Sequence, residues 1–225
     1  MGSVTVVEVM ANSGAARAAA KHRSPFVGHA PGERPAPNGQ IGVRLSAGTI
    51  ASVTQVATWH TGIDALAVAL GTAMKCDVPA RTGDTVHLDE ALLVRTGPEE
   101  FMLISQQSVD MAGRLREHIV ADVGSVTDLS HARCHIRIEG DQCRNALSKL
   151  FALDFREPQF PLDQVRLTGH HHVACMLHRR ELDCFDIYVF STYAFDQLST
   201  LIDAALEYGV SLTLSHAAPN AHGVV

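Results

Sequence analysis

From position 41 onward the strand and helix signals run through once and then run through again in the same order. A strand-like run over 51–59 precedes a short helix over 62–70, with Ile63, Leu66, Ala67 and Leu70 on one face. Strand signals over 86–95 and 100–105 follow, joined by Thr96-Gly97-Pro98, and then a helix that Ser108 can cap, through Met111, Leu115, Arg116 and Ile119. The second passage has a strand over 125–139, a helix over 141–150 and strands near 165–168, 171–178 and 184–190. It closes with a helix through Leu198, Leu201, Ile202 and Leu206 that Gly209 stops. The clearest echo sets Glu100-Phe101-Met102-Leu103-Ile104-Ser105 against Phe185-Asp186-Ile187-Tyr188-Val189-Phe190-Ser191, each strand running straight into an amphipathic helix.

A lone β-α-β-β-α unit would leave one face of its sheet in water. Two such units are best served by packing their sheets together under covering helices. The expectation is an α+β fold with duplicated β-α-β-β-α units and two packed, mostly antiparallel sheets. It forms a single domain over 41–214, divided at about 41–122 and 123–212, with a short tail over 215–225. A chain of 225 residues with 46% hydrophobic content can bury such a core. Residues 1–40 stand apart: small residues dominate 12–20, and Pro25, Pro31, Pro35 and Pro37 fall among glycines. They are expected to form an extended arm, either a loose tail or a segment lying across a partner subunit.

Charge narrows the function. A net charge of -6 with scattered Lys and Arg offers no footprint for nucleic acid or an anionic membrane. No apolar run approaches the roughly 20 residues that span a bilayer, and the N-terminus lacks the pattern of a secretory signal, so the chain is expected in the cytoplasm. Val6 stands where a myristoylation signal wants Ser or Thr. The five cysteines include no C-x-x-C pair, which fits reduced thiols buried as small apolar residues.

The stretch 125-SVTDLSHARCHIRIEGDQCRNALSKL-150 looks most like a reaction centre. Strand alternation divides it, with Ala132, Cys134, Ile136 and Ile138 on one face and His131, Arg133, His135 and Arg137 on the other. Cys134 and His135 therefore cannot share a metal, and Arg133 puts positive charge between His131 and His135. Past His170-His171-His172, alternation groups His171 with Cys175 and His172 with His178, and no carboxylate falls between the triplet and His178 to complete a ligand set. No G-x-S-x-G, H-E-x-x-H, phosphate-cradling or dinucleotide-binding glycine motif occurs. Catalytic, cofactor-binding and metal residues are thus expected to be absent from this chain.

Several motifs in order resemble a known family: Ser24-Pro25-Phe26, Leu70-Gly71 with Pro79 and Gly83, Gly97-Pro98-Glu99-Glu100-Phe101-Met102-Leu103, Val126-Thr127-Asp128-Leu129-Ser130-His131-Ala132-Arg133, Leu153-Asp154, Phe160-Pro161, and the strand and helix over 185–209. The chain resembles the gamma subunit of heterotetrameric sarcosine oxidase and of related N-methyl amine oxidase and dehydrogenase complexes. The resemblance implies a fold like the N-terminal part of folate-dependent aminomethyltransferases. It implies a non-catalytic subunit with alpha, beta and delta partners, in a complex that oxidatively demethylates sarcosine or a related amine. The one-carbon unit would pass to tetrahydrofolate or leave as formaldehyde. FAD, FMN, NAD, zinc and tetrahydrofolate would reside in the partners. Asp128, Ser130, His131, Arg133 and Arg137 are the candidate subunit contacts, and a stand-alone folate-binding protein or aminomethyltransferase-like enzyme is the alternative.

Overall fold

The computed structural model describes residues 24–215, apart from positions 60 and 90. The first unit runs β2 (Val43–Thr49), β3 (Ser52–Ala57), α1 (Ile63–Met74), β4 (Thr85–His87), β5 (Leu92–Gly97), β6 (Glu100–Ser105) and α2 (Met111–Arg116). The second runs β7 (Ser125–Asp128), β8 (Arg133–Glu139), α3 (Cys143–Ser148), β9 (Val165–His170), β10 (Val173–Glu181), β11 (Cys184–Phe190), α4 (Ala194–Ala205) and β12 (Val210–Ser215), and β1 (Gly32–Arg34) precedes both.

The expected duplication is visible in the strand order. The smaller sheet is β4-β5-β6-β3-β7, and the larger contains β9-β10-β11-β8-β2, the same order with β12 and β1 added beyond β2. Each unit thus gives its first strand to the other's sheet. The chain crosses from one sheet to the other between β2 and β3 and again between β7 and β8. All pairings are antiparallel except β12 on β2.

Three apolar clusters define four layers. One lies between the larger sheet and α3 and α4, with Cys134, Ile136, Leu147, Phe185 and Leu201. A second lies between the smaller sheet and α1 and α2, with Leu66, Leu70, Phe101 and Leu115. The third joins the two sheets through Val53, Val94, Met102, Ile104, Met176 and Tyr188. In α4 the buried Leu198, Leu201, Ile202 and Ala205 follow the helical period. A 3₁₀ turn then leads to Gly209 at φ 75°, where a Cβ would stand 2.0 Å from the Gln40 carbonyl oxygen, so the stop tolerates only glycine.

Several boundaries differ from expectation. The run over 125–139 is two strands in different sheets, because Asp128 Oδ1 accepts from the Ser130 N–H (2.9 Å) and hydroxyl (2.6 Å) and turns the chain. The run over 86–95 is a hairpin, β4 and β5, closed by Leu88 N–H to the Ala91 carbonyl. Asp110 caps α2 in place of Ser108, accepting from Gly113 N–H at 2.8 Å. His171 and His172 belong to neither strand face. Both have positive φ, 47° and 67°, and they form the two-residue turn of the β9–β10 hairpin.

The expected arm is part of the domain where it is described. Phe26 is buried in the main core, and β1 pairs with β12. The rest of that arm, 1–23, and most of the expected tail over 215–225 lie outside the described residues.

Candidate functional site

The five sequence candidates fall in two places. Asp128, Ser130 and His131 sit on the β7–β8 turn, where they line a cavity of about 200 Å³ together with Ser52, Thr54 and the start of α2. Ser130 Oγ also accepts from Val53 N–H at 3.0 Å, which fixes the turn to β3. The Ser130 hydroxyl holds the Asp128 carboxyl below its ordinary range, aided by the Ser130 N–H and by His131. Arg133 begins β8 with its guanidinium 3.7 Å from the Phe190 ring centroid, a cation–π stack.

Arg137 lies elsewhere, on the face of β8 that looks into the gap between the sheets. There it meets Asp186, a carboxylate 1% exposed inside the apolar strand β11. Asp186 Oδ1 takes His135 Nε2 at 2.7 Å and Arg137 Nε at 2.8 Å, and Oδ2 takes Arg137 Nη2 at 3.2 Å and Arg180 Nη1 at 3.3 Å. Burial alone would raise this carboxyl, but the bonds from His135 and Arg137 outweigh it and hold it well below the usual range. Sequence reasoning missed Asp186. The signal was a lone carboxylate in the run Cys184–Phe190, opposite a strand face carrying His135 and Arg137.

Within β8 the division is as alternation implies, while His131 and Ala132 lie in the turn before it. Cys134 is buried in the helix-side core, and His135 faces the other way, toward Asp186. Cys143, Cys175 and Cys184 are also buried, and no cysteine among the described residues is in a disulfide. Burial pushes the Cys143 thiol up to about 12 and those of Cys175 and Cys184 up to about 11, far from the reactive thiolate range.

A third constellation joins residues that the sequence keeps apart. His87 of β4, Asp163 from the loop before β9, and His178 of β10 bring their ligand atoms within 4.8 Å of one another. His87 Nε2 is 2.9 Å from Asp163 Oδ1, and His178 Nε2 is 3.7 Å from the same oxygen. The search for a carboxylate between His172 and His178 overlooked Asp163. The loop before β9 brings it alongside β10, where Asp163 N–H bonds the Arg179 carbonyl at 2.8 Å. A groove of about 550 Å³ beside α3 is lined by Arg144, which pairs with Asp183, and by Arg156 and Asp154, which pair with each other.

Two packed sheets that exchange their first strands beneath outer helices define an aminomethyltransferase-like fold. The chain superposes on the glycine cleavage system aminomethyltransferase T of Bartonella henselae with a TM-score of 0.56 at 16% identity, covering 77% of this chain and 48% of that one. It matches a chain of the heterotetrameric sarcosine oxidase of Corynebacterium sp. U-96 more fully, with a TM-score of 0.68 at 21% identity over 74% of this chain and 85% of that one. In sequence the chain is similar to sarcosine oxidase subunit gamma. It is 24% identical to the Corynebacterium sp. (strain U-96) subunit over 67% of this chain and 72% of that subunit. It is 26% identical to the Arthrobacter sp. subunit over 75% of this chain and 76% of that one. No family model matches the chain.

Proposed function

We propose that this chain is the gamma-type subunit of a heterotetrameric, sarcosine oxidase-like complex, with alpha, beta and delta subunits as its partners. The observation that carries the reading is its likeness to two gamma subunits across more than 70% of their lengths, together with a fold shared with a chain of a heterotetrameric oxidase. The reaction would be oxidative demethylation of sarcosine or a related N-methyl amine, its one-carbon unit going to tetrahydrofolate or leaving as formaldehyde. The FAD, FMN, NAD, zinc and tetrahydrofolate of that chemistry would be held by the partners, in the cytoplasm. No helix among the described residues is long and apolar enough to cross a membrane.

This chain's own contribution is positional. The β7–β8 turn with Asp128, Ser130 and His131, and Arg133 stacked beside it, is the contact surface of choice. It is held rigid from both sides and offers mixed charge around a shallow cavity.

Native co-purification tests the reading. Recovery of flavoprotein chains with the absorption spectrum of bound flavin is expected. A chain that elutes alone and binds a reduced folate at micromolar concentration would instead support a stand-alone folate-binding role on the same fold.

A further inference from the structure

We propose that His87, Asp163 and His178 form a binding site for one divalent transition-metal cation of the zinc type, clamping the two sheets together at their β4 and β10 corner. The three residues come from separate places in the chain, and their convergence is a product of the packing.

Geometry suits such an ion. Nitrogen and oxygen ligands about 2.0–2.2 Å from a tetrahedral zinc stand about 3.4 Å from one another. The two separations from Asp163 Oδ1, 2.9 and 3.7 Å, bracket that value. His87 and His178 occupy the inter-sheet faces of their strands, since His87 pairs with Leu92 and His178 lies two residues from Met176, both members of the inter-sheet cluster. Asp163 is pinned between them: its N–H bonds the Arg179 carbonyl, and its carbonyl accepts from Thr85 Oγ1 at 2.5 Å.

His178 is the second, independent sign. It is fully buried, and neither ring nitrogen has a hydrogen-bond partner among the described residues. Buried imidazole nitrogens are ordinarily satisfied, so this ring lacks a ligand at the point where Asp163 and His87 converge. His87 and Asp163 are more than half exposed, which leaves the ion a path in and a fourth position for water. The nearby charges are compatible: the Arg180 guanidinium is engaged by Asp186, and Asp163 presents its carboxylate directly to the site.

Two imidazoles and one carboxylate select zinc, cobalt or nickel over magnesium or calcium, which prefer all-oxygen shells. The proposal is independent of the oxidase-subunit reading, because it concerns this chain's own residues and is tested without substrate. The purified full-length chain, with any chains that accompany it, is stripped with a chelator and titrated with Co²⁺, Zn²⁺ and, as control, Mg²⁺.

One Co²⁺ per chain with the intense visible absorption of a tetrahedral site is expected, and Zn²⁺ should displace it. Zn²⁺ should raise the thermal midpoint of the wild type. His87→Gln and Asp163→Asn alter exposed side chains and should fold normally, yet each should weaken binding by about tenfold or more and remove the thermal shift. Failure to bind Co²⁺ or Zn²⁺ stoichiometrically at micromolar concentration overturns the proposal. So does unaltered affinity in both variants, which would put the ion elsewhere, such as at His170–His172.

Discussion

His135 Nε2 and Asp186 Oδ1 lie 2.7 Å apart in the layer between the two sheets, on strands whose opposite faces line the helix-side core. Asp186 also engages Arg137 and Arg180, so one buried carboxylate answers three side chains that carry or can carry positive charge. Removing a buried carboxylate costs more than the pair contributes, because its partners are left desolvated and unmatched. Asp186→Asn should therefore lose about 3 kcal/mol of stability. The urea midpoint at pH 7 measures it, and an unchanged midpoint would mean that the arginines simply turn to solvent.

His170 gives the pH response a direction. It is fully buried at the end of β9, with Nδ1 2.5 Å from Gln197 Oε1, while Gln197 Nε2 donates to the His170 carbonyl at 3.2 Å. Burial lowers its pKa below the ordinary 6.5, with the Gln197 bond opposing and His171 assisting. The unfolded chain consequently binds more protons than the folded one once the pH falls below about 6.5, and acid favours unfolding. The loss begins at that unfolded value and is complete when the pH has passed the lower folded value. His170→Phe should flatten this part of the profile, so its urea midpoint should fall less than the wild type's between pH 7.5 and 5. Equal falls would locate the acid sensitivity in other groups.

Phe26 tests whether residues 24–34 belong to the domain. Its ring is 1% exposed in the main core, and nearby His29 stacks on Phe195 at 4.3 Å and meets the Phe195 carbonyl at 3.1 Å. Phe26→Ala should cost about 3–5 kcal/mol, the usual range for emptying a buried aromatic site. Chemical unfolding followed by Trp59 fluorescence or circular dichroism reads the change. A cost under about 1 kcal/mol would return the segment to the status of a loose arm.

The repeated architecture could be read from the sequence because hydrophobic period is a local property. The alternation that separates Cys134 from His135 was legible for the same reason. The break at Ser130 was not, since Asp128 and Ser130 turn the chain through side-chain bonds while the apolar pattern continues through Leu129 and Ala132. Likewise the left-handed pair His171-His172 carries none of the glycine or asparagine that usually marks such a hairpin. The groupings around Asp186 and Asp163 were out of reach on different grounds. Each grouping needs a partner some 50 or more positions away, His135 for Asp186 and His87 for Asp163, and only the sheet register and the loop before β9 bring them together. Phe26 was hidden by its setting, because proline and glycine around it disguise a core side chain as linker.

The β7–β8 turn can be probed without disturbing the fold. His131 is exposed, borders the cavity, and is near Asp128 in sequence and in field. His131→Glu places a carboxylate beside Asp128, a like-charge contact at the surface that should change stability by less than about 1 kcal/mol. If the turn is a subunit contact, the same change puts an added charge into a desolvated boundary. Retention of flavoprotein partners should then fall by about tenfold or more, a loss typical of an interface hot spot. Quantitative pull-down of the tagged chain, with circular dichroism to verify folding, separates the two effects. A variant that keeps both its stability and its partners would move the contact surface away from this turn, toward another face of the molecule. Arg137 supplies the contrast, because it is bound into the Asp186 cluster. Arg137→Met should lower stability first and affect partners only through the fold.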